Sequence, residues 1–240
     1  MKVIKVKNYE ELSKVAAEIV GTLVKAKPTA TLGLATGSSP IGLYKNLIKM
    51  YENKEISFEQ VSSYNLDEYC GLPKGHQESY YSFMHRNLFD HIDIKEDNIH
   101  LPSSEGKDLE KNCKDYNDLL NNANVDLQVL GIGGNGHIGF NEPNTSFDQE
   151  TFIVELTEKT RLDNARFFNS LEEVPTHAIT MGIKNIMQAN KILLIASGKG
   201  KQEAIKRLLN GKVSEDFPAS ILHNHNDVVV IVDDGACALL

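Results

Sequence analysis

Two stretches carry side chains that can move protons. The longer is Gly131-Ile132-Gly133-Gly134-Asn135-Gly136-His137-Ile138-Gly139-Phe140-Asn141-Glu142-Pro143. Its glycines let backbone approach a ligand closely and keep His137 out of a packed core. A histidine held by a carboxylate such as Glu142 has a defined tautomer and exchanges a proton near neutral pH. The shorter is Asn65-Leu66-Asp67-Glu68-Tyr69, where two acids stand at the end of a predicted strand. A carboxylate there becomes a general base if burial raises its pKa toward the working pH. Adjacent residues of an extended chain face opposite ways, so at most one of the pair enters a pocket. The competing reading is a solvated turn acid or a helix cap.

Two further stretches are suited to an anion. In Ala35-Thr36-Gly37-Ser38-Ser39-Pro40, Ser39 can cap a helix whose first turn holds Pro40. Gly37, Ser38 and Ser39 would then offer N–H groups and hydroxyls at a positive helix end. An ordinary capped helix explains the same residues. The string lacks the Gly-Lys-Ser/Thr ending of a Walker loop. Cations gather at Arg161 and Arg166, flanking a short helical segment, and in Ser197-Gly198-Lys199-Gly200-Lys201 before a predicted helix. Lysines at a helix N-terminus oppose its dipole unless an anion sits there; a solvated Lys-rich turn is the alternative.

The elements that must position these groups are legible as alternation. Apolar, β-branched runs at 31–35, 61–66, 125–130, 178–180, 192–196 and 228–232 predict strands buried on both faces. Between them, 9–25, 41–51, 79–89, 109–121 and 201–209 repeat apolar residues at three and four, as amphipathic helices do. Strand and helix in repetition predict a doubly wound, mainly parallel α/β sheet flanked by helices, with its site at the carboxyl ends of the strands. The stretches 67–77 and 131–148 follow predicted strands and read as long functional loops. Gly131, Gly133 and Gly136 spell G-x-G-x-x-G, but Gly139, Asn141 and Pro143 break the helix a dinucleotide fold requires next. No repeat or composition shift divides residues 1–240, so one catalytic domain is expected.

Composition narrows the partners. With 25 Lys+Arg against 33 Asp+Glu the net charge is −8, which argues against nucleic acid or an anionic membrane surface. The longest apolar runs are five residues, far below the ~20 of a membrane span, and the opening MKVIKVKNYEEL lacks the apolar core of a secretory signal. Three cysteines without short spacing form neither a disulfide framework nor a zinc site. A cytoplasmic protein is expected, with no metal; His223-Asn224-His225 lacks partners to complete a metal set. Tyr80, Tyr81, Phe83 and Met84 read as the buried face of a helix. Nothing in the sequence speaks to oligomeric state.

Together these segments resemble the glucosamine-6-phosphate deaminase family. The resemblance lies in residues 35–40, 65–69, Glu78 to Met84, Gly131 to Pro143, Thr160-Arg161 to Phe168 and Ser197 to Lys201, and spans the chain in order. It implies a Rossmann-like enzyme that converts glucosamine 6-phosphate to fructose 6-phosphate and ammonia without a cofactor. By resemblance His137 opens the sugar ring, supported by Glu142 and Asn135, and Asp67 is the base that moves the C2 proton. The substrate phosphate would lie on Gly37, Ser38 and Ser39 with Arg166 and Lys201. Lys201 is preferred to Lys199 by its distance to Gly211. Asn135 stands where some relatives carry Asp; an amide can only orient its neighbours by hydrogen bonds. A sugar-phosphate lactonase on the same scaffold would need no C2 base, and a catalytically silent sugar-phosphate sensor would need none of the acid/base set.

Overall fold

The computed structural model describes residues 1–165 and 168–240. Seven strands form a parallel sheet in the order β1 (Lys2–Val6), β10 (Val228–Asp233), β9 (Ile192–Ala196), β6 (Leu127–Leu130), β2 (Thr31–Leu34), β3 (Ser62–Asn65) and β5 (Ile99–His100). The apolar runs are continuous because both faces are covered. In β9, Leu193 and Ile195 enter one core with Leu12, Ala16 and Val20 of α1 (Tyr9–Ala26) and Leu43 and Leu47 of α2 (Ile41–Glu52). Ile192, Leu194 and Ala196 enter the other core. There they meet Tyr116 and Leu120 of α4 (Leu109–Ala123), Ile183 of α6 (Ile183–Met187) and Ile205 and Leu208 of α7 (Gln202–Asn210). The expected doubly wound sheet is observed.

The chain winds in opposite directions from β2 and β6, which are neighbours. After β2 it passes through α2 to β3 on one side; from β6 it proceeds to β9 and β10 on the other. The loops leaving these two strands must therefore part, and a crevice opens between them.

A second, three-stranded antiparallel sheet was not expected. It orders β4 (Asp67–Tyr69), β8 (His177–Thr180) and β7 (Phe152–Glu155). The 178–180 strand belongs here and not to the main sheet. The stretch from 67 is likewise not irregular at its start. Leu66 is the hinge: its N–H donates to Leu34 of the large sheet and its carbonyl accepts from Met181 beside the small one. The strands β1, β5 and β7 also went unread, because edge and half-exposed strands lack a fully apolar run. Among the described residues, no helix is long and apolar enough to cross a membrane.

Candidate active site

A cleft of about 310 Å³ lies at the crevice between β2 and β6. The loop after β2 forms one wall, held by two phenols. Tyr44 Oη donates to the Ala35 carbonyl at 2.5 Å and accepts from its N–H at 3.2 Å. Tyr9 Oη accepts from Gly42 N–H at 2.8 Å and lies 2.9 and 3.1 Å from the carbonyls of Ser38 and Ser39. Ser39 was expected to cap the helix; instead Pro40 is the N-cap and α2 begins at Ile41, without a side-chain cap. The Tyr9 hydroxyl satisfies the Gly42 N–H that a cap would serve. Thr36, Gly37 and Ser39 line the cleft, whereas Ser38 is exposed and outside its lining.

Asp67 enters the cleft at the seam between the sheets. It is 6% exposed. Burial, and secondarily the neighbouring Glu68, push its carboxyl up to about 8. Gly139 lies against it in left-handed backbone, φ 57°. A β-carbon there would come within 3.1 Å of Thr180 Oγ1 and 3.9 Å of Asp67 Oδ2. Glu68 faces the other way, as strand alternation requires. Its carboxylate accepts from the N–H groups of Tyr69, Tyr80 and Tyr81 at 2.8, 2.8 and 2.9 Å. That pins the first turn of α3 (Tyr80–Asn87) beside the cleft.

The glycine-rich loop after β6 supplies the opposite wall and is irregular over 131–148, as expected. His137 Nδ1 stands 3.6 Å from Glu142 Oε1. Asn135 Nδ2 donates to Glu142 Oε2 at 2.7 Å, and Asn135 Oδ1 accepts from His137 N–H at 3.2 Å. Both ends of the amide are thus spent on orientation. Gly133 is required here: a β-carbon would fall 2.3 Å from the His137 ring, which packs over its Cα. Asn141 fastens the loop from below, donating to the carbonyls of Ile138 and Met181 at 2.8 Å each.

The cation comes from the loop after β9. Lys201 lines the cleft and its Nζ donates to the Ile132 carbonyl at 2.7 Å, whereas Lys199 is exposed outside it. Asp233 holds that loop through Ser197 Oγ and, at 2.9 Å, Gly198 N–H. Burial opposes its ionisation, but these hydrogen bonds and that from Ala236 keep its carboxyl below the ordinary range. Arg161 is not a cleft residue; its guanidinium donates to the carbonyls of Leu171 and Val174 at 2.9 and 3.1 Å. Arg166 lies outside the described residues.

Two wall elements carry side chains to which the sequence reading gave no site role. Tyr80, taken for a buried helix face, lines the cleft, its ring stacked near Phe140 at 6.3 Å and tilted on Tyr69 at 4.6 Å. Burial raises its phenol well above the ordinary range, so it stays a donor. Thr157, Thr160 and Asn164 of the short helix α5 (Glu158–Asn164) and its cap form the roof. Thr157 and Thr160 spell a cap and its third residue, the one signal that could have found them. His223 and His225 bind the carbonyls of Leu208 and Ala189 and take no part in the cleft. Among the described residues no group of His, Cys, Asp and Glu is placed to hold a metal ion.

A doubly wound sheet with acid, imidazole and lysine converging at its switch point defines a class of sugar-phosphate enzyme. Residues 6–231 match the sequence model of the glucosamine-6-phosphate isomerase/6-phosphogluconolactonase family, and the chain belongs to it. Its relatives include the glucosamine-6-phosphate deaminase of Clostridium novyi (strain NT), 54% identical over 241 residues with both chains fully covered. That of Thermoanaerobacter sp. (strain X514) is 53% identical, covering all of this chain and 95% of the relative. A solved structure described as a monomeric glucosamine-6-phosphate deaminase superposes with a TM-score of 0.98 at 48% identity, covering both chains entirely. A 6-phosphogluconolactonase from Trypanosoma brucei, 18% identical and covering 100% of this chain and 98% of its own, has a TM-score of 0.82 and shares the fold alone.

Proposed function

We propose that this protein converts glucosamine 6-phosphate and water to fructose 6-phosphate and ammonia. The observation that carries the reading is one cleft that joins a buried, high-pKa carboxyl to a histidine–carboxylate pair and a lysine. A lactonase would need the second and third of these but no buried acid beside them.

The phosphate sits on the amides of the 37–39 turn with Lys201, and the sequence adds Arg166. That remote binding orients the reacting carbons. With Nδ1 turned toward Glu142, His137 works at Nε2. It takes the proton of the anomeric hydroxyl and returns one to the ring oxygen, and the C1–O5 bond breaks to give the open aldehyde. Asp67, as carboxylate, removes the C2 proton while the substrate's ammonium group passes one of its protons to O1, forming the neutral enolamine. Its proton returns to C1, the nitrogen lone pair forms the C2 imine, and water adds at C2 as ammonia leaves. Each proton lent by the protein is recovered, so no cofactor is consumed. Asn135 holds Glu142 and takes no proton. Cys70, Cys113 and Cys237, all unpaired, support a reducing, cytoplasmic setting.

The test is purified protein with glucosamine 6-phosphate and no added cofactor. Equal amounts of ammonium and fructose 6-phosphate are expected. Absence of ammonium at every pH between about 6 and 9, where His titrates, would favour the silent sensor. Hydrolysis of a sugar-phosphate lactone without ammonium release from the amino sugar would favour the lactonase.

A further inference from the structure

The Glu142 carboxylate is a junction. Its Oε2 accepts from Asn135 at 2.7 Å, while Oε1 accepts from Thr160 Oγ1 at 3.2 Å and lies 3.6 Å from His137 Nδ1. Asn135 and His137 share the loop of Glu142, whereas Thr160 arrives from a separate element, the first turn of α5. The Thr160 hydroxyl has a second possible acceptor: Thr157 Oγ1, at 2.9 Å. It has only one proton to give. Donated to Glu142, that proton fixes the oxygen nearest the imidazole and still leaves it a lone pair for His137; donated to Thr157, it leaves Oε1 without that hold. The backbone bond from Thr160 N–H to Thr157 Oγ1, 3.1 Å, caps α5 whichever way the hydroxyl turns. Arg161 ties the same helix to Leu171 and Val174 on its far side. The helix therefore has its own anchors, and the hydroxyl contact to Glu142 is surplus to them.

We infer that Thr160 is a positioning residue for ring opening: its hydroxyl sets the Glu142 oxygen against His137 and couples the seating of α5 over the cleft to the first proton transfer. The inference rests on the deaminase reading. It assigns Thr160 to the step before C2–H cleavage, and that placement is measurable.

Thr160→Val keeps the branched shape and the backbone cap but removes the hydroxyl; Thr160→Ser restores it. Both are compared with the parent on glucosamine 6-phosphate and on the same substrate deuterated at C2. The expected result is a loss of about tenfold or more in kcat for Thr160→Val, about 1.4 kcal/mol in barrier, with rescue by Thr160→Ser to within about threefold. The deuterium effect on kcat in Thr160→Val should be no larger than in the parent, because the slowed step precedes C–H cleavage. Three results overturn the role: Thr160→Val turning over within about threefold of the parent, a slowed Thr160→Val with an enlarged deuterium effect, or Thr160→Ser no better than Thr160→Val. A parent that releases no ammonium removes the deaminase reading itself. An active parent with any of those three results removes this role alone.

Discussion

Asp67→Asn isolates what burial does to the proposed base. In the folded chain this carboxyl titrates at about 8, raised from 3.8 by burial first and by Glu68 second. Between those values the folded state holds a proton that the unfolded chain has released. The unfolded state binds fewer protons, so the slope of unfolding free energy with pH is negative and stability falls as pH rises. The slope contributed is about 1.4 kcal/mol per pH unit, and the accumulated penalty approaches about 6 kcal/mol above pH 8. Asparagine has no such proton. The stability difference, variant minus parent, should therefore climb from about pH 4 to pH 8 and then level off. A packing effect of the amide displaces that curve without bending it. At this chain length 1 kcal/mol moves Tm by about 2–4 °C, so the full term is about 10 °C or more. Urea or thermal unfolding of both proteins at intervals from about pH 4.5 to 9 reads it directly. The same substitution should lower kcat by about 10²–10⁴-fold, the usual worth of a general base. In the parent, kcat/KM should rise with pH as Asp67 ionises, reaching half its maximum near the free-site value of about 8. Parallel stability curves would show that burial does not hold this acid neutral. Full turnover in the Asn variant would place the base elsewhere.

Lys201→Ala should raise KM about tenfold or more, with a much smaller effect on a substrate analogue lacking phosphate; equal loss for both would deny the phosphate role. Gly139→Ala, at φ 57° and with Thr180 Oγ1 only 3.1 Å from the new β-carbon, should cost about 1–2 kcal/mol in urea unfolding and lower kcat by crowding Asp67. An unchanged protein would mean the loop relaxes freely. Tyr9→Phe removes the hydroxyl shared by Ser38, Ser39 and Gly42. It should raise KM severalfold with kcat nearly intact and cost about 1 kcal/mol of stability, measured by steady-state kinetics and denaturant titration.

The large sheet was legible because its strands are buried on both faces. Residues 192–196 and 228–232 could not be anything solvent-facing, and they split between two cores by simple alternation. His137 and Glu142 were legible from the glycine-rich loop that leaves such a strand, β6, and Asp67 from its place just past β3. The small sheet was not. Its strands are three or four residues long, β7 is only half-buried, and the strand through Asp67 changes sheets at one residue, Leu66. No local pattern encodes a partner brought in from residues 177–180. Tyr80 does pack on a helix face as expected, and its place in the cleft wall was not legible for a related reason. Helical spacing shows which side of α3 packs, whereas Glu68, twelve residues earlier, holds the first turn of that helix beside the cleft. The α2 cap failed because the competing hydroxyl, Tyr9, comes from a different helix.

On the proposed reading, the raised pKa of Asp67 would also let a chain of net charge −8 admit a dianionic ligand. Ionised and buried beside a phosphate sugar, this carboxylate would repel it across low-dielectric space. Below about pH 8 the free site holds the group neutral, at the expense of stability rather than affinity. Glu142, already hydrogen-bonded by Asn135 and Thr160, is the other acid that lines the cleft with Lys201. On that same reading, the amino group of the substrate, cationic when protonated, would arrive next to Asp67 and favour its ionisation. Binding of the amino sugar would thus supply the charge that makes the base active, where a sugar phosphate bearing a hydroxyl at C2 would supply none. Discrimination between an amino sugar and its hydroxyl counterpart would follow from the same burial that produces the base, without a separate contact to the nitrogen.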